Sequence, residues 1–402
     1  MPGRPAPAER RLVVAPVGPF RLPGGTPEGQ QRREGGIVRR VERVDGSLVL
    51  LRAALRADGR LVLGATAAEP TGEDAALLGR ALTRWRRILA CDEDLRPFLA
   101  AHRGDALIGP SLRDRPWLRP GRRGSLFESL VCAVCEQLIA FEDAVRIERR
   151  IAWRHGAALG LDARDGVVGL ERGSGAAGRL RRRGARRVLW ALPSAEEVAA
   201  RLVPAHFEAC GLAPARAQAL HRAARELASG RLDPHGRGTA AAVPHAGGDP
   251  DGERVLGRLD AIPEIGSWTL ALVATQVLGR LDRPPSGDLN LVKALGRMRT
   301  GDPRARATEA EVDALLAPYA PWGALAAAHV MATRGEALPR ERDLPQPTTP
   351  AAPPPVAFPE RAPGGPLAVR VLVPARRRSG APAPSPEPVV DVGPPAPRPV
   401  AA

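Results

Sequence analysis

The sequence predicts a mainly α-helical protein, with an α+β domain built on an antiparallel sheet at its N-terminus and a disordered tail at its C-terminus. Three observations predict this. Two Asp-Gly steps, Asp45-Gly46 and Asp58-Gly59, separate β-rich runs near the start, as in an antiparallel meander. From Glu73 onward apolar residues recur mostly at helical spacing. Beyond about Leu338 the composition shifts to Pro, Ala and Arg without periodicity, which cannot build a core. The expected divisions are 11–109 for the N-terminal domain, 110–336 for the helical core and 337–402 for the tail.

In chain order, Leu12-Val13-Val14, IVRRVERV after Gly35-Gly36, LVLLRAAL and LVLGAT are the strand candidates. Ala76, Leu77, Leu78, Ala81, Leu82, Trp85, Ile88 and Leu89 mark the first helix. Arg119 to Phe127 reads as a loop with three arginines. Phe127 to Ile151 reads as a long helical pattern broken near Ala140-Phe141. Residues 161–189 lack clear periodicity, and RLRRRGARR within them reads as an arginine-rich loop, either a phosphate contact or a solvated linker. Ser194 with Glu197 forms a capping box at a helix start. Cys210-Gly211-Leu212 stops that helix, and Pro214 starts another that carries Arg216. Residues 234–252 read as a loop in which His235 and His245 have no partners at metal spacing. Glu309 to Leu316 and the stretch after Pro321-Trp322 close the fold as helices.

The stretch from Leu259 to Leu295 organises the chain. A helix ends near Leu259, the chain turns at Pro263-Glu264-Ile265-Gly266, and a second helix starts at Ser267. Such a hairpin presents backbone N–H groups at a helix start, which suits an anion and usually phosphate. A loop of Pro, Ser and Gly follows, and Asp288 stands at the next helix start, 22 residues beyond Gly266. An Asp there is an N-cap residue by type, and the same position beside a held backbone suits chemistry.

Bulk properties bound the partners. The net charge is +15 and the pI about 11.2, a balance that favours a polyanion. Four cysteines over 402 residues are too few for a disulfide scaffold and point to a reducing compartment. Cys132 and Cys135 lie inside the apolar run LVCAVCEQLIA and read as core residues. No apolar run reaches transmembrane length and no signal-peptide core precedes the first strand. A soluble, cytoplasmic, nucleoid-associated monomer without membrane contact, metal or cofactor is expected.

Ile262-Pro263-x-Ile265-Gly266-x-Trp268-Thr269 followed by Gly287-Asp288-Leu289 resembles the signature of the helix-hairpin-helix DNA glycosylases. The Gly-x-Trp-Thr form is similar to the alkylation-repair branch, the 3-methyladenine DNA glycosylase II family. The resemblance covers most of residues 120–336 by pattern, with its sharp motifs in 259–295. The N-terminal sheet and helix resemble that branch's accessory domain by pattern alone.

The resemblance implies a monofunctional glycosylase that flips alkylated purines out of double-stranded DNA with damaged bases and starts base-excision repair. Asp288 would be the catalytic carboxylate. Trp268, Leu272 and Met331 would line the base pocket. Pro263, Ile265, Gly266 and Thr269 would hold the backbone. Gln137 and Leu138 would occupy the turn that inserts into the duplex, although Leu138 in such an apolar run also reads as core. Glu136 and Glu264 stand where relatives carry glycine. Leu272 and Met331 stand where aromatic rings are common, with Tyr319 and Trp322 as other rings for the pocket. Bifunctional relatives place a lysine two residues past the hairpin glycine. Here that residue is Trp268, and the chain's single lysine is Lys293, so water is the expected nucleophile. Two alternatives stay open: a glycosylase for another lesion, and a DNA-binding protein without catalysis.

Overall fold

The computed structural model describes residues 8–69, 74–232 and 250–333. The expected tail over 337–402, together with His235 and His245, lies outside them.

Strands β1 (Glu9–Val14), β2 (Gln31–Glu34), β3 (Ile37–Val44), β4 (Ser47–Leu55) and β5 (Leu61–Ala67) form an antiparallel sheet in the order β1-β5-β4-β3-β2. Val44 pairs with Ser47 across Asp45-Gly46. Both turn residues have positive φ, 48° and 80°, as a two-residue hairpin matched to strand twist requires. Side-chain alternation splits the sheet into two buried faces. Val38, Val49 and Leu51 face α1 (Asp74–Leu89), whose Leu78 and Trp85 pack on them.

Helices α2 (Arg96–His102) and α3 (Gly109–Asp114) lead to α4 (Leu126–Glu136) and α5 (Phe141–His155). The break near Ala140-Phe141 is where expected. A second antiparallel sheet then occupies the stretch read as aperiodic. Strands β6 (Ala157–Leu161), β7 (Val167–Arg172) and β8 (Arg187–Ala191) stand in the order β7-β6-β8, with α6 (Ala176–Arg182) between β7 and β8. This sheet packs on the other face of the first through Val41, Leu50, Leu159 and Leu189. The arginine-rich loop is therefore corrected: it is α6 and the start of β8. Arg179 and Arg183 both bond Glu171, at 2.8 and 3.0 Å, so neither is a free phosphate ligand. Polar β2 was not expected as a strand either.

Helices α7 (Ala195–Arg201), α8 (Pro204–Glu208) and α9 (Pro214–Ala228) follow, and Pro204 divides the one helix expected after Ser194 into two. The capping box of Ser194 and Glu197 is formed. Next come α10 (Pro250–Asp260), α11 (Ser267–Val273), a π-helical turn at Ala274–Leu278, α12 (Leu289–Thr300), α13 (Glu309–Leu316) and α14 (Gly323–Ala332). One apolar cluster joins α4, α5 and α7 through α11, and a second joins α2 and α3 to α12 through α14.

The seam between the first sheet and α4 is charged. Arg40 on β3, 1% exposed, donates to both oxygens of Glu128 at 2.7 and 2.8 Å and to Glu42 at 2.9 Å. Burial opposes the guanidinium charge, and the two carboxylates more than offset it, so its pKa rises. Arg123 reaches Glu28 at 2.8 Å, and Gly124 N donates to Glu128 at 3.1 Å. The three arginines of the 119–127 loop all turn inward: Arg119 to Pro19 O, Arg122 to Glu93 and Thr275 O, and Arg123 to Glu28. Next to this network, one oxygen of buried Glu148 has no hydrogen-bond partner. Burial, then the charges of Glu28 and Glu136, push its carboxyl from 4.5 to about 8.

Two stability predictions follow from this seam. Arg40→Ala leaves Glu128 and Glu42 buried without their cation, and denaturant unfolding should show a loss of about 3–5 kcal/mol. For Glu148 the folded state holds the proton more tightly than the unfolded chain. Its contribution is complete below the unfolded pKa and is lost as pH rises toward 8. Thermal melting should therefore show Glu148→Gln gaining on the order of 3 kcal/mol at pH 8 and little at pH 4.

Candidate active site

Asp288 is the N-cap of α12, and its Oδ1 accepts from Asn290 N at 2.8 Å and from Leu291 N at 3.4 Å. The N-cap reading is therefore correct. The other oxygen is differently placed. Oδ2 accepts from the indole Nε1 of Trp268 at 3.3 Å. One oxygen builds the helix and the second faces a half-buried aromatic ring on the first turn of α11. The loop before Asp288 runs close to that ring. A Cβ on Gly287 would lie 3.6 Å from Trp268 Cβ, an ordinary contact, and 2.6 Å from Glu309 Oε1, so a larger residue there would displace the Glu309 carboxylate.

The hairpin turn is built as its sequence implied. Ile262 and Ile265 are buried and anchor it, while Pro263, Glu264 and Gly266 are exposed. No side chain caps the start of α11, so protein groups do not consume its first N–H groups through a cap. Glu264 has φ +74°, the left-handed region that favours glycine.

Gln137 and Leu138 follow the last residue of α4. Gln137 Nε2 donates to Glu264 O at 2.7 Å and to Thr269 Oγ1 at 3.0 Å. Arg216 on α9 donates to Gln137 O at 2.7 Å. The amide of Gln137 thus points to the hairpin. Leu138 does the opposite: it has φ +54° and is 94% exposed. Its reading as a core leucine is corrected, because the left-handed turn swings the side chain away from the apolar face of α4. Ile139 and Phe141 beside it are exposed too.

Trp268 and Thr269, adjacent on α11, therefore bring two ends together: Trp268 meets the start of α12 and Thr269 the end of α4. Glu136 at that end is half-buried. Burial, then the charges of Glu28 and Asp288, raise its carboxyl against the opposing pull of Arg123. Leu272, one turn beyond Trp268, is half-buried, and Met331 on α14 packs on the cluster that contains Leu291. Tyr319 and Trp322 lie in an aromatic group with His102, and Trp322 also packs on Phe98. Tyr319 donates to Asp105 at 3.0 Å. His329 accepts or donates at Ser111 Oγ, 2.9 Å away, and burial holds its pKa near 4, so it is neutral. Glu309, which sequence reasoning missed, accepts from Ser267 at 3.3 Å. It lies 42 residues downstream of Ser267, so no local pattern could have found it.

A cleft of about 730 Å³ lies elsewhere, between β3, the start of α4 and α7. Among the described residues no group of three His, Cys, Asp or Glu side chains could hold a metal ion. Cys132 and Cys135 are buried on α4, and burial pushes both thiols up. No described helix is long and apolar enough to cross a membrane.

No protein-family model and no curated protein sequence matches the chain. Solved structures do. The chain is similar to the 3-methyladenine DNA glycosylase from Archaeoglobus fulgidus with a TM-score of 0.54 at 18% identity, over 76% of this chain and 89% of that one. It is also similar to the apo-form of the Clostridium acetobutylicum 8-oxoguanine glycosylase/lyase, with a TM-score of 0.51 at 12% identity, over 81% of this chain and 98% of that one. The fold is a DNA glycosylase fold. The glycosylase resemblance is borne out at the level of the fold, which a 3-methyladenine and an 8-oxoguanine enzyme share.

The two oxygens of Asp288 can be separated by substitution. Asp288→Ala should cost about 1 kcal/mol in thermal or denaturant unfolding through loss of the cap, and Asp288→Asn, a good cap, should cost a few tenths at most.

Proposed function

We propose that this protein is a monofunctional DNA N-glycosylase that releases alkylated purines of the 3-methyladenine type from duplex DNA. The observation that carries the proposal is the Asp288–Trp268 pair: a carboxylate oxygen turned to an aromatic ring at a helix start, within a glycosylase fold.

The chemistry follows from the groups. Cleavage of an N-glycosidic bond develops positive charge on the sugar. A fixed carboxylate beside it stabilises that charge and orients water. Asp288 has one oxygen committed to the helix, which fixes its orientation. A base inside a duplex is out of reach and must be extruded, leaving a gap. Leu138, apolar and exposed, suits that gap. The Clostridium glycosylase/lyase was solved in complex with dsDNA containing cytosine opposite 8-oxoG, and we carry duplex DNA over as the partner here. The turn at Pro263–Gly266 is assigned to the backbone phosphate, a contact that reads no sequence, while Thr269, 1% exposed, supports that turn from beneath through Gln137. An alkylated purine is cationic, and the face of Trp268 attracts it, with Leu272 and Met331 as apolar neighbours. Lys293 is the single lysine and stands in α12 rather than past the hairpin glycine, so water is the nucleophile. The aliphatic Leu272 and Met331 favour, as a second reading, a different base within the same reaction class.

Incubation of the purified protein with alkylated duplex DNA tests the proposal. The wild type should release 3-methyladenine, and Asp288→Asn should be slower by about 100-fold or more with thermal stability unchanged. Duplex binding without release of any base by the wild type would overturn the alkylated-purine proposal and leave a DNA-binding protein or a glycosylase for a lesion absent from that substrate.

A further inference from the structure

Two non-glycine residues of the candidate site hold left-handed backbone, Leu138 at φ +54° and Glu264 at φ +74°. Such conformations persist in side-chain-bearing residues only where surrounding contacts fix them. They lie 126 positions apart in the chain, yet a single residue joins them. Gln137 precedes Leu138, and its amide donates to the carbonyl of Glu264 at 2.7 Å. The same nitrogen also donates to Thr269 Oγ1 at 3.0 Å, on a threonine that is 1% exposed. Arg216 closes the arrangement from α9 through the carbonyl of Gln137, at 2.7 Å. The backbone of Gln137 is extended, with φ −61° and ψ 125°, so the helix ends there and Leu138 is turned outward.

We propose that Gln137 is a positioning residue that couples the hairpin turn to the exposed leucine, so that gripping the DNA backbone and wedging the duplex open become one rigid event. The proposal rests on the glycosylase reading above. Its physical content is pre-organisation. An apolar side chain 94% exposed to water gains by entering a base stack, but only a fixed backbone directs that gain into separating bases rather than into folding the leucine back onto the protein. Both ends of the tie are backbone or buried groups, so the tie transmits position without flexible intermediates. Gln137 makes no step of the reaction itself and does not touch the reacting atoms in this arrangement. It acts through Leu138 and Glu264.

The test uses the full chain and a duplex carrying a target base with 2-aminopurine as its neighbour, whose fluorescence rises when it unstacks. Duplex affinity is read by anisotropy, unstacking by fluorescence, and base release in single turnover at saturating enzyme. Gln137→Ala and Gln137→Met, which remove the donor without adding charge, should lose the fluorescence rise and release base about 100-fold more slowly, with duplex affinity falling far less than unstacking. Thr269→Ser, which keeps the acceptor, should behave as wild type in all three. If Gln137→Ala fails to fold, Gln137→Met and Thr269→Val carry the test. Full unstacking and release by the donor-deficient variants overturns the coupling alone. Equal loss of affinity and unstacking also overturns it, because Gln137 would then only build the binding surface. Absence of any fluorescence rise with wild-type protein bound to duplex overturns the extrusion reading on which the coupling depends.

Discussion

The pairing of Arg40 with Glu128 is the constraint on which the geometry rests. It joins β3 to the first turn of α4 across 88 residues of sequence, where Arg40, Glu42 and Glu128 are all buried. Isolated, each of these charges would be costly to bury. Together, with Glu42 as second acceptor and the Gly124 amide on Glu128, their hydrogen bonds fix one register between sheet and helix. An apolar seam of the same size would tolerate sliding. This one is directional, since one guanidinium nitrogen of Arg40 serves both oxygens of Glu128 while another serves Glu42. The start of α4 is thereby fixed, and α4 is the strut whose far end carries Glu136, Gln137 and Leu138.

The same loop secures α11 from the opposite side. The π-helical turn that ends α11 leaves carbonyls that regular α-helix would have satisfied differently. Arg122 bonds Thr275 O, the backbone N of Arg123 bonds Gln276 O, and Arg87 bonds Val277 O. The first turn of α11 is held by Gln137 and by the contact of Trp268 with Asp288. Both ends of this short helix are therefore anchored by polar contacts rather than by apolar packing alone. The net charge of +15 is consequently a poor measure of what faces outward. The arginines at 119, 122 and 123 serve the interior, and Arg179 and Arg183 serve Glu171, so the case for a polyanion rests on the site's shape more than on the charge total.

Where local chemistry decides conformation, the sequence was legible. Asp45-Gly46 set a hairpin, Ser194 and Glu197 set a capping box, and apolar spacing set α1, because each signal acts within a few residues. The turn between α10 and α11 was legible from Pro263 and Gly266, and Asp288 as an N-cap from its residue type at a helix start. The second sheet was not, for a physical reason. Every residue of β6 is buried, so the polar alternation that betrays a half-buried strand is missing, and α6 with its arginines masks the strands beside it. Leu138 was ambiguous for a related reason. Its apolar neighbours on α4 are core, and the extended backbone of Gln137 with the left-handed turn at Leu138 separates it from them, a change of backbone that apolar pattern cannot register. The partners of the three loop arginines were beyond reach too, since each depends on packing between distant elements.

Glu264 and Leu138 break a local rule at the place where the site is assembled. Glycine at either position would relieve a strain of about 1 kcal/mol or more per residue, and glycine is what the hairpin pattern offers at the first. At Leu138 the proposed function explains the choice, because on that reading a glycine would leave nothing to insert. At Glu264 it does not: the carboxylate is exposed, and nothing in the structure explains its side chain. What matters there is the carbonyl, which glycine would also present to Gln137. The hydrogen bond from Gln137 offsets part of the strain at Glu264 and fixes the residue before Leu138, so one amide stabilises two unfavourable turns at once. Local rules tend to fail at functional sites while holding elsewhere. Here the two failures meet at Gln137, whose amide bonds the carbonyl of one and whose backbone leads directly into the other, which is a stronger sign of a built site than either strained residue alone.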